Sequence, residues 1–396
     1  MGNDPQPRRT ARRRLWPLLA AGVLVIGIVW TVRSGGAGRP YEPQAPTFQG
    51  ASDSLASTVI VESLDAPLPP GRNAIWCAGF NLAWHKLGRD VIGGPIEVAG
   101  AADIARRLNA SPVSEADLLP ESCFVAAGEN TDEVVAGVRR ACAARFPSEP
   151  LPEISADVAL FAYAYISAAV RFAVPFFDNP AEFGFTDSTG GRTAVDSFGI
   201  RPEEEYAYER LRDQVAILYA RKPSALAADQ PEDTAGLFEF VLDPCRTSAP
   251  YQVVLAAVPR GETLAATLAD VESRMQDWSS GSGAVFGPRD VLLIPNMVWT
   301  ITHHYAALEG PDRLLLNPGF ETLWIATAQQ TISFRLDRSG AELRSESRVY
   351  FKPRPTHYVF DRPFLIYLKM RGAATPFFVM WVDNAELLSA ADSARP

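Results

Sequence analysis

The amino-acid sequence predicts an α+β fold, with helices concentrated in the N-terminal half of the folded region and strands gathered in the second half. Hydrophobic residues make up 47% and charged residues 21% of the 396 residues, a balance typical of a chain that folds. Apolar residues recur at helical spacing mainly early, whereas runs rich in Val, Ile, Phe and Tyr gather late. Helices followed by strands favour an α+β domain over alternating βαβ units.

Three segments predict helices. Residues 73–87 (NAIWCAGFNLAWHKL) are apolar enough for a largely buried helix. Residues 132–146 predict a cleaner amphipathic helix with Thr131 as its N-cap and acidic residues in its first turn. Residues 265–278 predict a third helix, apolar on one face.

Strands are predicted mainly by short β-branched and aromatic runs. Residues 159–177 form a long, aromatic and nearly uncharged run, which indicates a central strand buried on both faces. The turn-forming residues 372–375 predict a hairpin between the last two strands. The shorter predicted strands are 252–258, 291–294, 323–326, 331–336, 364–370 and 377–382.

The first residues predict a membrane anchor. Residues 1–14 are basic and predict a cytoplasmic tail, and the uncharged residues 15–32 are just long enough to span a bilayer as a transmembrane helix or uncleaved signal anchor. A cleaved secretory signal is the alternative, because residues 34–38 are small. Residues 33–58 predict a flexible tether. By the positive-inside rule, the bulk of the chain lies outside the cytoplasm, in a periplasmic or extracellular location.

Charge argues against a nucleic-acid partner. The formal net charge is −9, and residues 1–33 hold six Arg against one acidic residue, so the remainder of the chain is strongly acidic. A phosphate-binding surface needs clustered Lys and Arg. The wide spacings of the four Cys exclude CxxC redox or zinc motifs; they leave disulfide pairing and plain burial both open.

No residue pattern points to catalysis or to a cofactor. Nucleophile, metalloprotease, phosphate-loop and dinucleotide motifs are missing from the sequence in any supporting context. His303 and His304 are adjacent, so on a strand they face opposite ways and make a poor joint metal site. Residues 203–205 are three Glu that suit the start of a helix. We therefore expect a protein that is not an enzyme and holds no cofactor.

The C-terminal residues 358–387 carry a resemblance to a known family. They are similar to the closing strands of a serpin, in which a motif like residues 360–364 of this chain runs into a hydrophobic strand, a short turn and a second strand. Weaker similarities follow in serpin order: residues 73–88 to the first core helix, 160–177 to the central strand, and 331–340 to the strand that ends at the reactive-loop hinge. The motif residues are Phe360, Asp361, Arg362, Pro363 and Phe364.

The resemblance implies one serpin-like domain over residues 59–390 with mixed large β-sheets. Only about 70 residues separate the first helix from the central strand, so it also implies that at least one helix covering the sheet is reduced. In inhibitory serpins an exposed reactive loop is cut by the target protease and then enters the main sheet as an extra strand. The hinge glycine would be Gly340 here, and the reactive loop would occupy residues 341–358.

The loop sequence leaves two functions open. Residues 341–348 alternate with period two, with one face formed by Ala341, Leu343, Ser345 and Ser347, and this pattern suits a strand buried on one side. Yet only 19 residues lie between Gly340 and Phe360, fewer than inhibitory serpins usually provide.

The position of the scissile bond bears on the same choice. The family's usual offset places it after Arg354, where Pro355 makes a poor leaving group, and the bond after Arg348 is the alternative. The sequence favours a membrane-tethered, serpin-like binding or structural module with lost or weakened inhibition. The alternative is an inhibitor of a trypsin-like serine protease. The partner is then a serine protease or another extracytoplasmic protein.

Overall fold

The computed structural model of the chain describes six stretches, residues 46–147, 154–201, 208–221, 239–279, 285–338 and 356–391, all within one compact unit, Tyr41–Pro396. The helices are α1 Ala78–Leu87, α2 Ala102–Asn109, α3 Asp132–Arg145, α4 Tyr208–Gln214 and α5 Leu264–Ser279. The strands are β1 Phe48–Ala51, β2 Thr58–Ile60, β3 Asn73–Cys77, β4 Cys123–Glu129, β5 Leu160–Ile166, β6 Phe177–Asp178, β7 Phe183–Thr186, β8 Arg192–Val195, β9 Ser197–Ile200, β10 Ala216–Arg221, β11 Glu239–Asp243, β12 Tyr251–Ala257, β13 Val291–Pro295, β14 Met297–His304, β15 Gln329–Leu336, β16 His357–Val359, β17 Phe364–Met370 and β18 Phe378–Val382.

A seven-stranded sheet forms the centre of the core, in the order β10-β11-β12-β17-β18-β3-β2. One row of fully buried residues crosses four of its strands: Leu255 lies opposite Ile366, Ile366 opposite Met380, and Met380 opposite Ile75. Strands buried on both faces read as continuous apolar runs, which is why the sequence predicts β12, β17 and β18 almost to the residue. The predicted hairpin joins β17 to β18, and Gly372 adopts a φ of 88° in its turn.

The first predicted helix is wrong in its N-terminal third. Residues 73–77 form β3, between β2 and β18, and α1 begins only at Ala78. The segment is apolar on every side because β3 is buried on both faces, and that composition suits a buried helix equally well. The predicted helices at 132–146 and 265–278 are confirmed as α3 and α5. The Thr131 side chain accepts a hydrogen bond from the Val134 amide, as expected of the N-cap.

The predicted central strand is also shorter than expected. β5 ends at Ile166 and pairs only with β4 among the described strands. α3 packs against β4, and a separate small core lies between the helix and this two-stranded sheet. The residues of that small core are Phe124, Ala126, Cys142, Phe146 and Phe161.

A three-stranded sheet has the order β1-β14-β15. β1 lies within residues 33–58, which the sequence predicts to be a flexible tether, so ordered structure begins upstream of residue 59. Four residues with a single large apolar side chain, Phe48, are too few to produce a strand pattern, and parallel pairing with β14 holds them instead.

A four-stranded sheet, β16-β13-β9-β6, and the β7-β8 hairpin complete the described sheets. The strand predicted at 323–326 is not formed; Trp324 makes only an isolated bridge to Leu314. No helix within the described stretches is both long enough and apolar enough to cross a bilayer. The predicted cytoplasmic tail and anchor, residues 1–14 and 15–32, lie outside the described residues, as do the three Glu at 203–205.

Candidate functional site: a gap between two strand edges

The candidate site is formed by two strand edges that face each other without pairing. One of them is the edge of β15 that faces away from β14, and no described strand pairs with it. Side chains along β15 alternate between exposed and buried, with Gln330, Ile332 and Leu336 turned into the core. Such alternation is typical of a strand with one buried face.

The second edge is the segment that follows β5. The Ser167 amide donates to the Ser122 carbonyl at 2.9 Å and continues the pairing with β4 by one position. Beyond that point residues 168–172 form no described ladder, yet burial alternates strictly through residues 166–174. Ala168, Val170 and Phe172 pack against the core. Among the described residues, this segment therefore has the side-chain period of a strand but no strand partner. Near its end, the Val174 amide and carbonyl bind the Gln214 side chain at 2.9 and 2.6 Å, and the Ala173 amide donates to Cys245 Sγ at 3.4 Å.

Helix α1 lies beneath both edges and contacts β4, β5 and β15. The contact is closest at Gly79, where an added Cβ would lie 3.1 Å from Gln330 Nε2 and 3.9 Å from Ile166 Cδ1. The start of β15 and the end of β5 thus meet over the same residue of α1. Any larger side chain at position 79 would have to displace Gln330.

Gln330 connects β15 to the start of α1 through hydrogen bonds on both ends of its amide. Its Nε2 donates to the Cys77 carbonyl at 3.2 Å, and its Oε1 accepts a hydrogen bond from the Tyr305 hydroxyl at 3.0 Å. The Tyr305 ring packs on Phe80 of α1 with 4.2 Å between centroids. Burial raises the pKa of the Tyr305 phenol, so the hydroxyl stays protonated and remains a donor at neutral pH.

The two edges meet again at the other end of the gap. The Phe176 amide donates to the Arg338 carbonyl at 3.2 Å, and the Arg338 guanidinium pairs with Asp178 at 3.0 Å. Residue numbers rise in the same direction along both edges, from Ile166 and Gln330 at one end to Phe176 and Arg338 at the other. The edges therefore run parallel; they are hydrogen-bonded to each other at the end formed by Phe176 and Arg338, and at the other end Ile166 and Gln330 both approach Gly79 of α1.

This arrangement suits the uptake of one additional strand. No described strand pairs with the facing edge of β15 or with residues 168–172. A strand antiparallel to both edges would pair with each of them there, since an exposed strand edge is a template for such pairing. A chain that leaves β15 at Arg338 and turns back along the sheet would run in that direction. We call the space between β15 and residues 166–176 the acceptor gap.

The reactive-loop residues predicted from the sequence lie outside the described residues. They are Gly340, Ala341, Leu343, Ser345, Arg348, Arg354 and Pro355. The described chain resumes at Thr356, whose amide donates to Asp290 Oδ1 at 2.7 Å and whose carbonyl accepts from the Val291 amide at 2.9 Å. Both ends of the connecting segment, Arg338 and Thr356, are thus held by specific contacts.

The C-terminal motif residues lie between β16 and β17 and are mainly structural. Phe360 and Phe364 are fully buried with 5.0 Å between ring centroids, and the Phe360 amide donates to the Leu293 carbonyl at 3.0 Å. The Asp361 carbonyl accepts from the Thr186 amide, and the side chain of Asp361 pairs with its exposed neighbour Arg362. Pro363 is the residue that directly precedes β17.

The two adjacent histidines have different surroundings, as alternation along β14 predicts. His303 Nδ1 lies 2.8 Å from Ser52 Oγ, and burial lowers the pKa of His303. His304 is half exposed, and its Nδ1 lies 3.0 Å from Glu309 Oε1. The two side chains do not converge on one site.

The four cysteines are free thiols in the structure. Cys123, Cys142 and Cys245 are buried, and burial raises the pKa of the Cys123 thiol to about 11. Burial also raises the pKa of Cys77, whose carbonyl accepts the Gln330 hydrogen bond. The thiols of Cys77 and Cys123 are therefore protonated at neutral pH and are poor nucleophiles.

Sequence reasoning did not identify Gly79, Gln330, Phe176 or Tyr305 as site residues. Each acts through a partner that is distant in sequence, such as Gln330 with Cys77. The sequence signals that pointed to the site are the β-branched and aromatic run at 331–336, which predicted β15, and the aromatic run at 159–177, which contains the second edge. Nothing in a single sequence indicates that the far edge of that strand lacks a partner.

No protein-family model and no curated protein sequence matches the chain. Among solved structures, it is similar to Serpin48 of the insect Tenebrio molitor, with 10% identity, a TM-score of 0.39 and coverage of 79% of this chain and 92% of that one. Thyroxine-binding globulin in complex with thyroxine matches with 10% identity, a TM-score of 0.42 and coverage of 80% and 93%. Mouse protein-Z dependent protease inhibitor matches with 12% identity, a TM-score of 0.45 and coverage of 79% and 91%.

Of these three structures, the first is by its name a serpin and the third a protease inhibitor.

Proposed function

We propose that the chain is a serpin-like protein that binds a serine protease and takes up its own cleaved segment, residues 341–348, as a strand in the acceptor gap. The observation that carries this proposal is the pair of parallel edges, β15 and residues 166–176, which are hydrogen-bonded to each other at Phe176 and Arg338 and between which no described strand lies. Of the two functions that the sequence leaves open, this geometry supports inhibition better. It acts by binding and conformational change rather than by turnover.

The length of β15 matches that of the segment. β15 contains eight residues and alternates along its whole length. Residues 341–348 have the same length and the same alternation, with the small side chains Ala341, Ser345 and Ser347 beside Leu343 on one face. Cleavage after Arg348 would release a segment long enough to lie along all of β15. Pro355 disfavours cleavage after Arg354.

The experiment is incubation of the full-length chain with trypsin, followed by a denaturing gel. The expected result is a covalent complex that survives denaturation, with the chain cut after Arg348. Arg348→Ala should abolish the complex, and Arg354→Ala should leave it unchanged. Clean cleavage within 341–358 without any complex would overturn the proposal.

A matched pair of variants tests uptake separately from cleavage. Ser345→Lys places a charge on the face that would be buried, where an unpaired charge is costly, so it should permit cleavage but prevent the complex. Glu346→Lys makes a comparable change on the opposite face and should leave complex formation intact. Equal behaviour of the two variants would contradict insertion with this face inward.

The second candidate is a serpin-like binding or structural module without inhibition. The short connection between Arg338 and Thr356 and the proline at position 355 favour it. In that case trypsin cuts the chain, no complex forms, and the melting temperature does not rise after cleavage.

We further propose that the chain acts outside the cytoplasm, anchored through residues 15–32. The basic residues before this apolar stretch support the orientation. Protease added to intact cells or spheroplasts should digest the folded part, and alkaline carbonate should leave it in the membrane fraction. Release of the chain by carbonate would contradict the anchor.

A further inference from the structure

Residues 46–58, which we call the N-terminal strap, are held along the edge of β14 and against the C-terminal residues. The Thr47 amide donates to the Val298 carbonyl at 2.6 Å, and β1 then pairs in parallel with β14. At its other end the strap is bound by the Glu386 carboxylate, which accepts from the amides of Ala56 and Ser57 at 2.7 and 3.0 Å. The strap thus covers the β14 edge that faces away from β15.

The middle of the strap contacts His303 at the end of β14. Ser52, with 9% of its surface exposed, places its Oγ 2.8 Å from His303 Nδ1. The His303 ring stands edge-on to the ring of Tyr305, with 4.6 Å between centroids and an interplanar angle of 89°. His303, which is in contact with Ser52, therefore lies against one side of the Tyr305 ring, and Phe80 of α1 packs on the same ring.

Tyr305 links His303 to Gln330, which lies at the acceptor gap. Its hydroxyl donates to Gln330 Oε1, and Gln330 Nε2 donates to the Cys77 carbonyl at the start of α1. Because α1 also contacts β4 and β5, the Gln330 hydrogen bond joins β15 to the helix that supports the opposite edge. Separation of the two edges by the width of a strand would move β15 relative to α1 and break this bond.

We propose that the N-terminal strap restrains the opening of the acceptor gap through Ser52, His303, Tyr305 and Gln330. This inference rests on the proposed function and adds a restraint on the rate at which a strand enters the acceptor gap. When the strap is loosened, Tyr305 holds Gln330 less firmly and strand uptake becomes faster. Pulling on the strap, which forms the C-terminal part of the predicted tether and runs into β2, would act at the same point.

The test measures association of a fluorescent peptide, AELRSESR, with the full-length chain by fluorescence anisotropy. The peptide reproduces residues 341–348. Ser52→Ala removes the contact to His303, and Tyr305→Phe removes the hydrogen bond to Gln330. Loss of one neutral hydrogen bond corresponds to about fivefold, so each variant should take up the peptide about fivefold faster.

The double variant distinguishes a coupled path from two separate effects. If both residues act through Gln330, Ser52→Ala with Tyr305→Phe should be about fivefold faster, not the ~25-fold that independent effects would multiply to. Ser52→Thr keeps the hydroxyl and should restore the original rate. Ser54→Ala is the matched control, because Ser54 is exposed in the same turn and its Oγ donates only to the Ala51 carbonyl at 2.7 Å.

Amide hydrogen exchange without peptide separates the two proposals. Ser52→Ala should speed exchange at residues 331–335, and Ser54→Ala should not. If exchange and uptake in Ser52→Ala equal those of the original chain, the strap exerts no restraint and the inference is wrong. If exchange responds but no variant takes up peptide, the restraint stands and the proposed strand uptake is wrong.

Discussion

The seven-stranded sheet and the acceptor gap are both built from apolar, strand-like segments, but the segments are paired along their length only in the sheet. In the seven-stranded sheet, β12, β17, β18 and β3 pair in succession and bury a continuous row of side chains. At the gap, β15 and residues 166–174 carry strand-like alternation, and no described strand lies between the two edges, which are hydrogen-bonded at Phe176 and Arg338. The comparison indicates that the first region supplies stability and that the second retains pairing capacity for another strand.

The largest expected effect is the difference in unfolding free energy when a ring is removed from the paired sheet or from the unpaired segment. Phe364→Ala removes a fully buried ring that packs on Phe360, and the cavity should cost about 3–5 kcal/mol in the free energy of unfolding. Phe172→Ala, in the unpaired segment, truncates a partly buried ring that packs edge-on against Phe176 at 4.9 Å and should cost about 1–2 kcal/mol. Urea unfolding monitored by circular dichroism measures both, and equal costs would contradict the division of roles.

A second prediction concerns the ion pair at the end of β17. Arg371 lies 3.0 Å from Asp243, which is 1% exposed and also accepts from the Cys245 amide and from Gln252. Arg371→Met leaves a buried carboxylate without its cation and should cost about 3 kcal/mol at pH 7. The exposed Arg362, paired only with its neighbour Asp361, supplies the control: Arg362→Met should cost less than about 1 kcal/mol.

The same pair predicts a pH dependence. Burial is the dominant influence on Asp243 and raises the pKa of its carboxyl, and Arg371 opposes that rise. Without Arg371 the pKa rises further, so protonation removes the uncompensated charge as the pH falls. The cost of Arg371→Met should therefore shrink from pH 7 towards pH 4. A cost that is constant with pH would show that the lost packing of Arg371, not its charge, matters.

The smallest effect concerns Cys123 on β4, next to the gap. Burial raises the pKa of its thiol from 9.0 to about 11, so the folded chain holds the proton more tightly than the unfolded chain does. This contribution is complete below pH 9 and is lost as the pH rises through 11; about 2 kcal/mol of it is lost between pH 9 and pH 11. Cys123→Ala should flatten the fall in unfolding free energy between pH 9 and pH 11, and an unchanged slope would contradict it.

Sequence reasoning succeeded where local composition determines structure. β12, β17 and β18 are apolar on both faces, and α3 has both its cap and its charges in the expected places. It failed where pairing between distant segments decides. β3 resembles a helix until β18 pairs with it, and β1 is too short to produce a pattern before β14 binds it. The acceptor gap was hidden for the same reason, because it depends on which edges remain unpaired.

Hydrogen exchange at residues 168–172, before and after trypsin cleavage, tests the central claim most directly. If the acceptor gap is open in the intact chain and takes up residues 341–348 after cleavage, these amides exchange rapidly at first. After cleavage they become protected to a degree similar to the amides of β17. Amides that are already protected in the intact chain would show that the edges are paired. Amides that stay unprotected after cleavage would show that no strand enters.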